Sequence, residues 1–518
     1  MIAIPLIVRC PGLAQVDSPG ELDAFVERVR EQFEVPGIAL AIVKDGKLVT
    51  AKGYGVKTLG NVGRVDARTK FGIASNTKLF TATALGILVE ERKLEWDAPV
   101  IRYLPWFRLG DPYVTHELTI RDLLVHRSGL GLGAGDLLWW PASDYDRKEI
   151  AYRLRYLPLA ASFRSTYAYD NVLYTVAGEV IESLSGMSWE KFVETRILAT
   201  VGMKGSTVRH SSASEGADVA TPHARINGRL QPIEPFASDN TNPAGGINSC
   251  AEDMAKWLMT QLDSGRVADG SRLFSPETAR QLWTLVTPLP IGSLPGSLSA
   301  LMPNFNGYGL GVGIRDYRGK KLLVHTGGLP GYVSKVCMVP EVKLGIAVLT
   351  NQEAGGAFEA ICYHLLDAYL GARPTDWIAR FRSLQARGDS LANVALSRGA
   401  ARRDSLSHPS LPLADYAGTY TDAWYGDVSI EYRDGKLSIK FSHTTALEGE
   451  LLHWQHDTFV ARWRNRELRA DAFVTFALNP DGTIDQVKLK AVSPATDFSF
   501  DFQDLLLKPL KVGAKPGR

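Results

Sequence analysis

Residues 71–91 read FGIASNTKLFTATALGILVEE, and the reading of the fold turns on the first eight of them. An apolar approach, Phe71-Gly72-Ile73-Ala74, runs into Ser75-Asn76-Thr77-Lys78, and a helical pattern follows over 79–91. A serine at a helix N-terminus has its side chain exposed and backbone N–H groups beside it. Lys78 lies one turn on, on the same helix face, so its amine can reach the Ser75 hydroxyl. A buried lysine whose pKa is lowered by desolvation can take that proton as a base. The spacing alone decides nothing. Ser188-Trp189-Glu190-Lys191 has the same S-x-x-K form, and Ser188 reads as a simple helix N-cap. Taken in isolation, Ser75 reads as a cap too.

Working outward, residues 19–33 read as a helix and 37–55 as two strands around a Lys44-Asp45-Gly46-Lys47 turn. Residues 97–270 read as mostly helical with many turns. A helix is expected over 119–126, opened by a Thr-Ile-Arg-Asp capping pattern, and another over 172–185, ended by Gly186. Between 307 and 351, YGLGVGI, KLLVHTGG, YVSKVCMVP and KLGIAVLTN read as short strands, followed by a helix over 356–370. This order predicts an α+β (α/β sandwich) fold: an antiparallel sheet built from both chain ends, flanked by helices, with an inserted mostly helical region. Residues 373–410 read as a helix and a linker. Beyond them, alternating strands with turns at Asp434-Gly435 and Asp481-Gly482 predict a C-terminal all-β, barrel-like domain. The expected divisions are 1–15, 16–372, 373–410 and 411–518.

Two further motifs carry chemistry. Tyr169-Asp170-Asn171 stands just before the 172–185 helix, and Tyr169 alone among 18 tyrosines is followed two residues later by asparagine. A packed aromatic with a hydroxyl partner is one reading. The other is a phenol beside cationic Lys78, pushed toward phenolate and able to shuttle protons, with Asn171 holding Lys78 or a substrate amide. His325-Thr326-Gly327-Gly328 follows Leu322-Leu323-Val324 and is the single His-Thr-Gly of the chain. Glycines on such a strand let a substrate carbonyl approach the backbone. The Gly328 N–H, with that of Ser75, can make an oxyanion hole, in which one donor is worth about 3–4 kcal/mol of barrier.

With S-x-x-K, Y-x-N and H-T-G in that order, the chain resembles the serine β-lactamase and penicillin-binding-protein superfamily over residues 20–370. The likeness is to its class C β-lactamase-like esterases and D-aminopeptidases. It extends to Leu118-Thr119-Ile120-Arg121-Asp122-Leu123-Leu124, to His126-Arg127-Ser128-Gly129-Leu130, and to Gly245-Gly246-Ile247 before Ala251-Glu252-Asp253-Met254. These are scaffold and cleft-lining segments, with Asp253 a helix-start residue. The resemblance implies that Ser75 forms an acyl-serine while Lys78 and Tyr169 relay protons. Penicillin-degrading members present Lys where this chain has His325, so the likeness favours esters, amides or peptides. The alternative is a β-lactamase or a penicillin-binding sensor. Asp170, where the family often has a small residue, puts an extra carboxylate near Lys78 and is expected to raise its pKa.

The remaining composition narrows the field. The chain has 518 residues, 45% hydrophobic and 22% charged, with a net charge of +2; nothing resembles the basic footprint of a nucleic-acid binder. Cys10, Cys250, Cys337 and Cys362 show no metal-binding spacing, and there is no H-E-x-x-H or G-x-S-x-G. No metal or cofactor is expected. His443, His453 and His456 read as surface groups of the β domain. Its Trp424, Tyr425, Trp454 and Trp463 serve either a core or a partner surface, so a homo-oligomer stays open. Residues 1–15 read as a signal-peptide remnant, which implies a periplasmic or secreted protein, with the cytoplasm as the alternative. No apolar run is long enough for a membrane span. The expected partner is a small-molecule or short-peptide substrate.

Overall fold

The computed structural model describes residues 16–214, 216 and 218–510. The stretch read as a signal-peptide remnant, with Cys10, lies outside them. Ser18 opens the first helix, Pro19–Gln32, with a capping box to Glu21. The chain then enters an eight-stranded antiparallel sheet next to one edge. Its order is Lys47–Gly55, Gly37–Lys44, Leu344–Thr350, Tyr332–Val339, Lys320–Leu329, Gly313–Tyr317, Asn306–Tyr308 and Thr287–Pro288. Both chain ends therefore contribute, as the strand pattern predicts. The run GIALAIV is buried throughout because helices cover both faces. Ile38, Leu40 and Ile42 pack with the helices Pro19–Gln32 and Gly355–Tyr369. Ala39, Ala41 and Val43 face Ala251–Leu262 and Lys78–Glu90. The latter helix is buried from Lys78 to Leu88, which suits its lack of a polar face.

The middle region is less regular than its pattern predicts. The helix expected over 119–126 is a single turn, Asp122–Leu124. Its capping signal is nonetheless made: Thr119 N–H donates to Asp122 Oδ2 at 3.0 Å, and Asp122 N–H to Thr119 Oγ1 at 3.2 Å. The same carboxylate also binds Arg127 and Arg164, which tie it to more distant chain, and His126 takes a left-handed φ of 56°. A further hairpin, His223–Ile226/Arg229–Pro232, turns at Asn227-Gly228. Val172–Ser185 ends at left-handed Gly186, as its sequence predicts.

Trp377–Ala401 forms one long helix, of which Trp377 and Phe381 are buried. Beyond it a second eight-stranded sheet runs from Ile484–Ala491 to Lys508–Pro509. Val487 and Leu507 exchange backbone hydrogen bonds at 2.9 and 3.1 Å, bringing the last strand back to the first and nearly closing a barrel. Trp424, Tyr425 and Trp463 are buried in its core, whereas Trp454 lies under Arg403. Among the described residues no helix is long and apolar enough to cross a membrane.

Candidate active site

Three distant segments converge on one cavity of about 440 Å³, lined by Ser75, Tyr169, Asn171, His325, Thr326 and Gly328 among others. Ser75 sits in a 3₁₀ turn, Ala74–Thr77, that feeds the helix Lys78–Glu90. Ala74 adopts φ 49°, a left-handed turn that a residue with a Cβ rarely takes. Its neighbours hold it: Ser334 Oγ donates to the Ile73 carbonyl, and Asn76 Nδ2 donates to Ser334 Oγ, both at 2.8 Å. The turn is thereby tied to the strand Tyr332–Val339. Gly327 is what lets the neighbouring strand close on it, because a Cβ there would collide with the Ile73 carbonyl oxygen.

Lys78 is fully buried. Its Nζ lies 3.2 Å from Ser75 Oγ, 2.7 Å from Asn171 Oδ1 and 3.0 Å from the Ala244 carbonyl. Burial lowers its pKa to about 7 despite Asp136 and Asp170, which raise it. The lift expected from Asp170 is thus outweighed by desolvation; Asp170 itself is pushed well above the carboxylate range, by burial first and then by Asp136. Two of the three Nζ partners are carbonyl oxygens, which only accept. In the neutral amine both N–H bonds can serve them, leaving the lone pair to face Ser75.

The Tyr169 ring lies 4.8 Å from Lys78 Nζ, and Tyr169 and Ser75 line the same cavity. The expectation of a phenolate is reversed. Burial raises the phenol far above its ordinary value, and a lysine with a pKa near 7 supplies only part of a positive charge at neutral pH. Tyr169 is a neutral hydroxyl. His325 is neutral as well, its pKa depressed to about 3 by burial and then by Lys78. Its Nδ1 lies 2.6 Å from the Thr326 carbonyl and its Nε2 2.7 Å from Tyr308 Oη. The carbonyl needs a donor, so Nδ1 carries the hydrogen and Nε2 accepts from Tyr308.

Several residues around this set belong to none of the three motifs, and of them His126 stands in a segment the resemblance reads as scaffold or cleft-lining. Asp136, fully buried, accepts from Asn171 Nδ2 at 2.9 Å and Trp139 Nε1 at 2.8 Å. Burial raises its carboxyl to about 6, held there by those hydrogen bonds and Lys78. His126 Nδ1 accepts the Asp170 N–H at 3.1 Å, and its ring lies 4.3 Å from that of Tyr169. Aromatic side chains make up part of the cavity wall: Trp139, Trp140, Tyr167, Tyr308 and Phe498. Among the described residues no lysine or arginine lines it. Ser188, in the other S-x-x-K, is outside this group, and its Oγ caps a helix by accepting the Lys191 N–H at 3.2 Å. Asp253 lies in the first turn of Ala251–Leu262 and accepts from Gly205 N–H and Ser206 Oγ. Among the described residues no cluster of His, Cys, Asp or Glu could hold a metal ion.

A family model described as Beta-lactamase matches residues 22–370, and one described as a domain of unknown function (DUF3471) matches 402–509. The unguisins hydrolase of Aspergillus violaceofuscus is 28% identical over 505 residues, covering 89% of this chain and 86% of that protein. Protein flp of Staphylococcus aureus is 24% identical over 348 residues, covering 65% and 63%. Among solved structures, the octameric penicillin-binding protein homologue from Pyrococcus abyssi has a TM-score of 0.60 at 23% identity, covering 95% of this chain and all of that one. A D-stereospecific amidohydrolase from Streptomyces has a TM-score of 0.52 at 21% identity, covering 66% and 98%. These two structures share the fold.

Proposed function

Because this chain belongs to the beta-lactamase family of hydrolases, we propose that it is a serine hydrolase that cleaves uncharged ester, amide or short-peptide substrates through an acyl-enzyme on Ser75. The observation that carries the reading is the trio around Lys78 Nζ: a hydroxyl at 3.2 Å and two carbonyl acceptors at 2.7 and 3.0 Å. In the neutral amine the lone pair takes the Ser75 proton as Oγ attacks the substrate carbonyl carbon. The oxyanion that forms is met by the N–H groups of Ser75 and Gly328. The proton then passes, by way of the Tyr169 hydroxyl, to the leaving alkoxide or amine as its bond to carbon breaks. Water attacks the acyl-serine by the same route in reverse, releasing the acid and restoring the Ser75 hydroxyl.

The substrate class follows from the wall. Aromatic rings favour apolar or aromatic groups, and with His325 neutral no fixed cation among the described residues faces the cavity to hold a carboxylate. This supports substrates without a carboxylate over β-lactams. The Aspergillus relative is itself named a hydrolase, which agrees with the reaction type.

Mass spectrometry after treatment with a fluorophosphonate should find the adduct on Ser75, and Ser75→Ala should lower p-nitrophenyl ester turnover by about 10⁶ with the fold intact. An adduct on Ser188, or undiminished turnover, would overturn the assignment.

A further inference from the structure

The C-terminal domain reaches the floor of the cavity. Asp497, Phe498 and Ser499 line it, and the Phe498 ring stands edge-on to Tyr169 with centroids 6.0 Å apart. Ser499, 4% exposed, donates from Oγ to Asp136 Oδ2 at 2.7 Å. The same oxygen accepts from Asn171 Nδ2 at 2.9 Å, and Asn171 Oδ1 accepts from Lys78 Nζ at 2.7 Å. Hydrogen bonds thus run unbroken from Ser499, in the segment after the strand Ile484–Ala491, to the amine beside Ser75. Asp501 braces the same place: its two oxygens accept the N–H groups of Gly135 and Leu137, at 2.7 and 3.0 Å, on either side of Asp136.

The order of donors in this chain leaves one arrangement. An ionised carboxylate only accepts, so it must meet the NH₂ end of Asn171, and the amide oxygen is left to face Lys78. A flipped amide would aim its own hydrogens at the amine and remove one of the two carbonyls that turn the lone pair toward Ser75. If Asp136 Oδ2 gained a proton, the Asn171 NH₂ could not accept it, and Ser499 Oγ could do so only by ceasing to donate to the carboxylate.

We propose that Ser499 is a positioning residue supplied by the C-terminal domain: through Asp136 and Asn171 it orients the Lys78 amine toward Ser75, so that the nucleophile is armed only when the β domain is docked. The proposal rests on the reading of Lys78 as the base. Its effect on pH dependence has a definite sign. The ionisable groups that face Asp136 are Lys78, Tyr169, Asp170 and Asp501. The active form has Asp136 ionised and Lys78 neutral. Removing one donor from the carboxylate makes this doubly deprotonated form take up its first proton more readily, so the acid limb of the pair moves to higher pH.

The test is the rate at which a fluorophosphonate labels Ser75 in the full-length protein, followed across pH. Ser499→Ala should slow labelling about tenfold and move the acid limb upward, while Ser499→Thr restores both. Ser499→Val has the shape of the threonine variant without its hydroxyl, so comparing the two separates the hydrogen bond from packing even if the alanine variant folds poorly. Valine should behave as alanine does. Equal rates and equal limbs for the threonine and valine variants would overturn the proposal while leaving Ser75 as the nucleophile. A wild-type protein that is not labelled at Ser75 would overturn the functional reading itself.

Discussion

To serve as the proposed base, Lys78 has to be buried enough to lose its proton near neutrality and held well enough to spend its lone pair on one hydroxyl. With its pKa lowered to about 7, the amine form grows as pH rises through that value, because the deprotonated state is the one that works as a base. kcat/KM for a p-nitrophenyl ester, measured from about pH 5 to about pH 9, should therefore climb through a midpoint near neutrality. A profile that rises only near the ordinary lysine value would mean that Lys78 stays charged. Neither His325 nor Tyr169 should add an ionisation in that window, since burial pushes the imidazole down to about 3 and the phenol far up. Sequence shows the reach of Lys78 to Ser75, because i and i+3 share a helix face. It misjudges the phenol, because desolvation depends on atoms that no motif names.

The strand Lys320–Leu329 and the turn Ala74–Thr77 test each other. A Cβ on Gly327 would collide with the Ile73 carbonyl oxygen and crowd Ser334 Oγ and the Ala74 Cβ, whereas one on Gly328 meets nothing within 4 Å. Gly327→Ala should cost about 1–3 kcal/mol by overpacking, and an ångström of displacement at the reacting atoms costs about 10²-fold in rate. Gly328→Ala should leave stability within about 0.5 kcal/mol of wild type. Thermal melting of the two variants, read beside ester hydrolysis, decides it: equal melting temperatures would mean that the strand does not bear on the Ser75 turn. The Gly-Gly pair was legible as a place of close approach. Which glycine is pressed against the nucleophile and which faces the cavity depends on how the strand lies across the turn.

The two domains share one apolar core, running from Ala39 and Val43 of the sheet through Trp139 and Trp140 to Phe500 and Phe502. Glu353 and Arg469 pair across the boundary at 2.6 and 2.7 Å, and Asp144 Oδ1 lies 2.7 Å from His443 Nδ1. His443, read as a surface group, is part of this seam. Asp501→Ala would strip two buried N–H groups of their acceptor, at about 1–3 kcal/mol each. It should lower the melting temperature of the whole molecule in a single transition. A variant in which the barrel melts separately from the sheet would show that the shared core does not couple them.

Sequence by itself determined the sheet with strands from both chain ends, the barrel-like second domain, and the trio of motifs around Ser75, because hydrophobic period, turn residues and helix-face spacing are local properties. It could not reveal Asp136 in the run AGDLLWW, His126 beneath Tyr169, Tyr308 on His325, or Ser499 from beyond the barrel strands. Those side chains have roles only where folding buries them around one cavity, and there burial and hydrogen bonding set which group holds each proton.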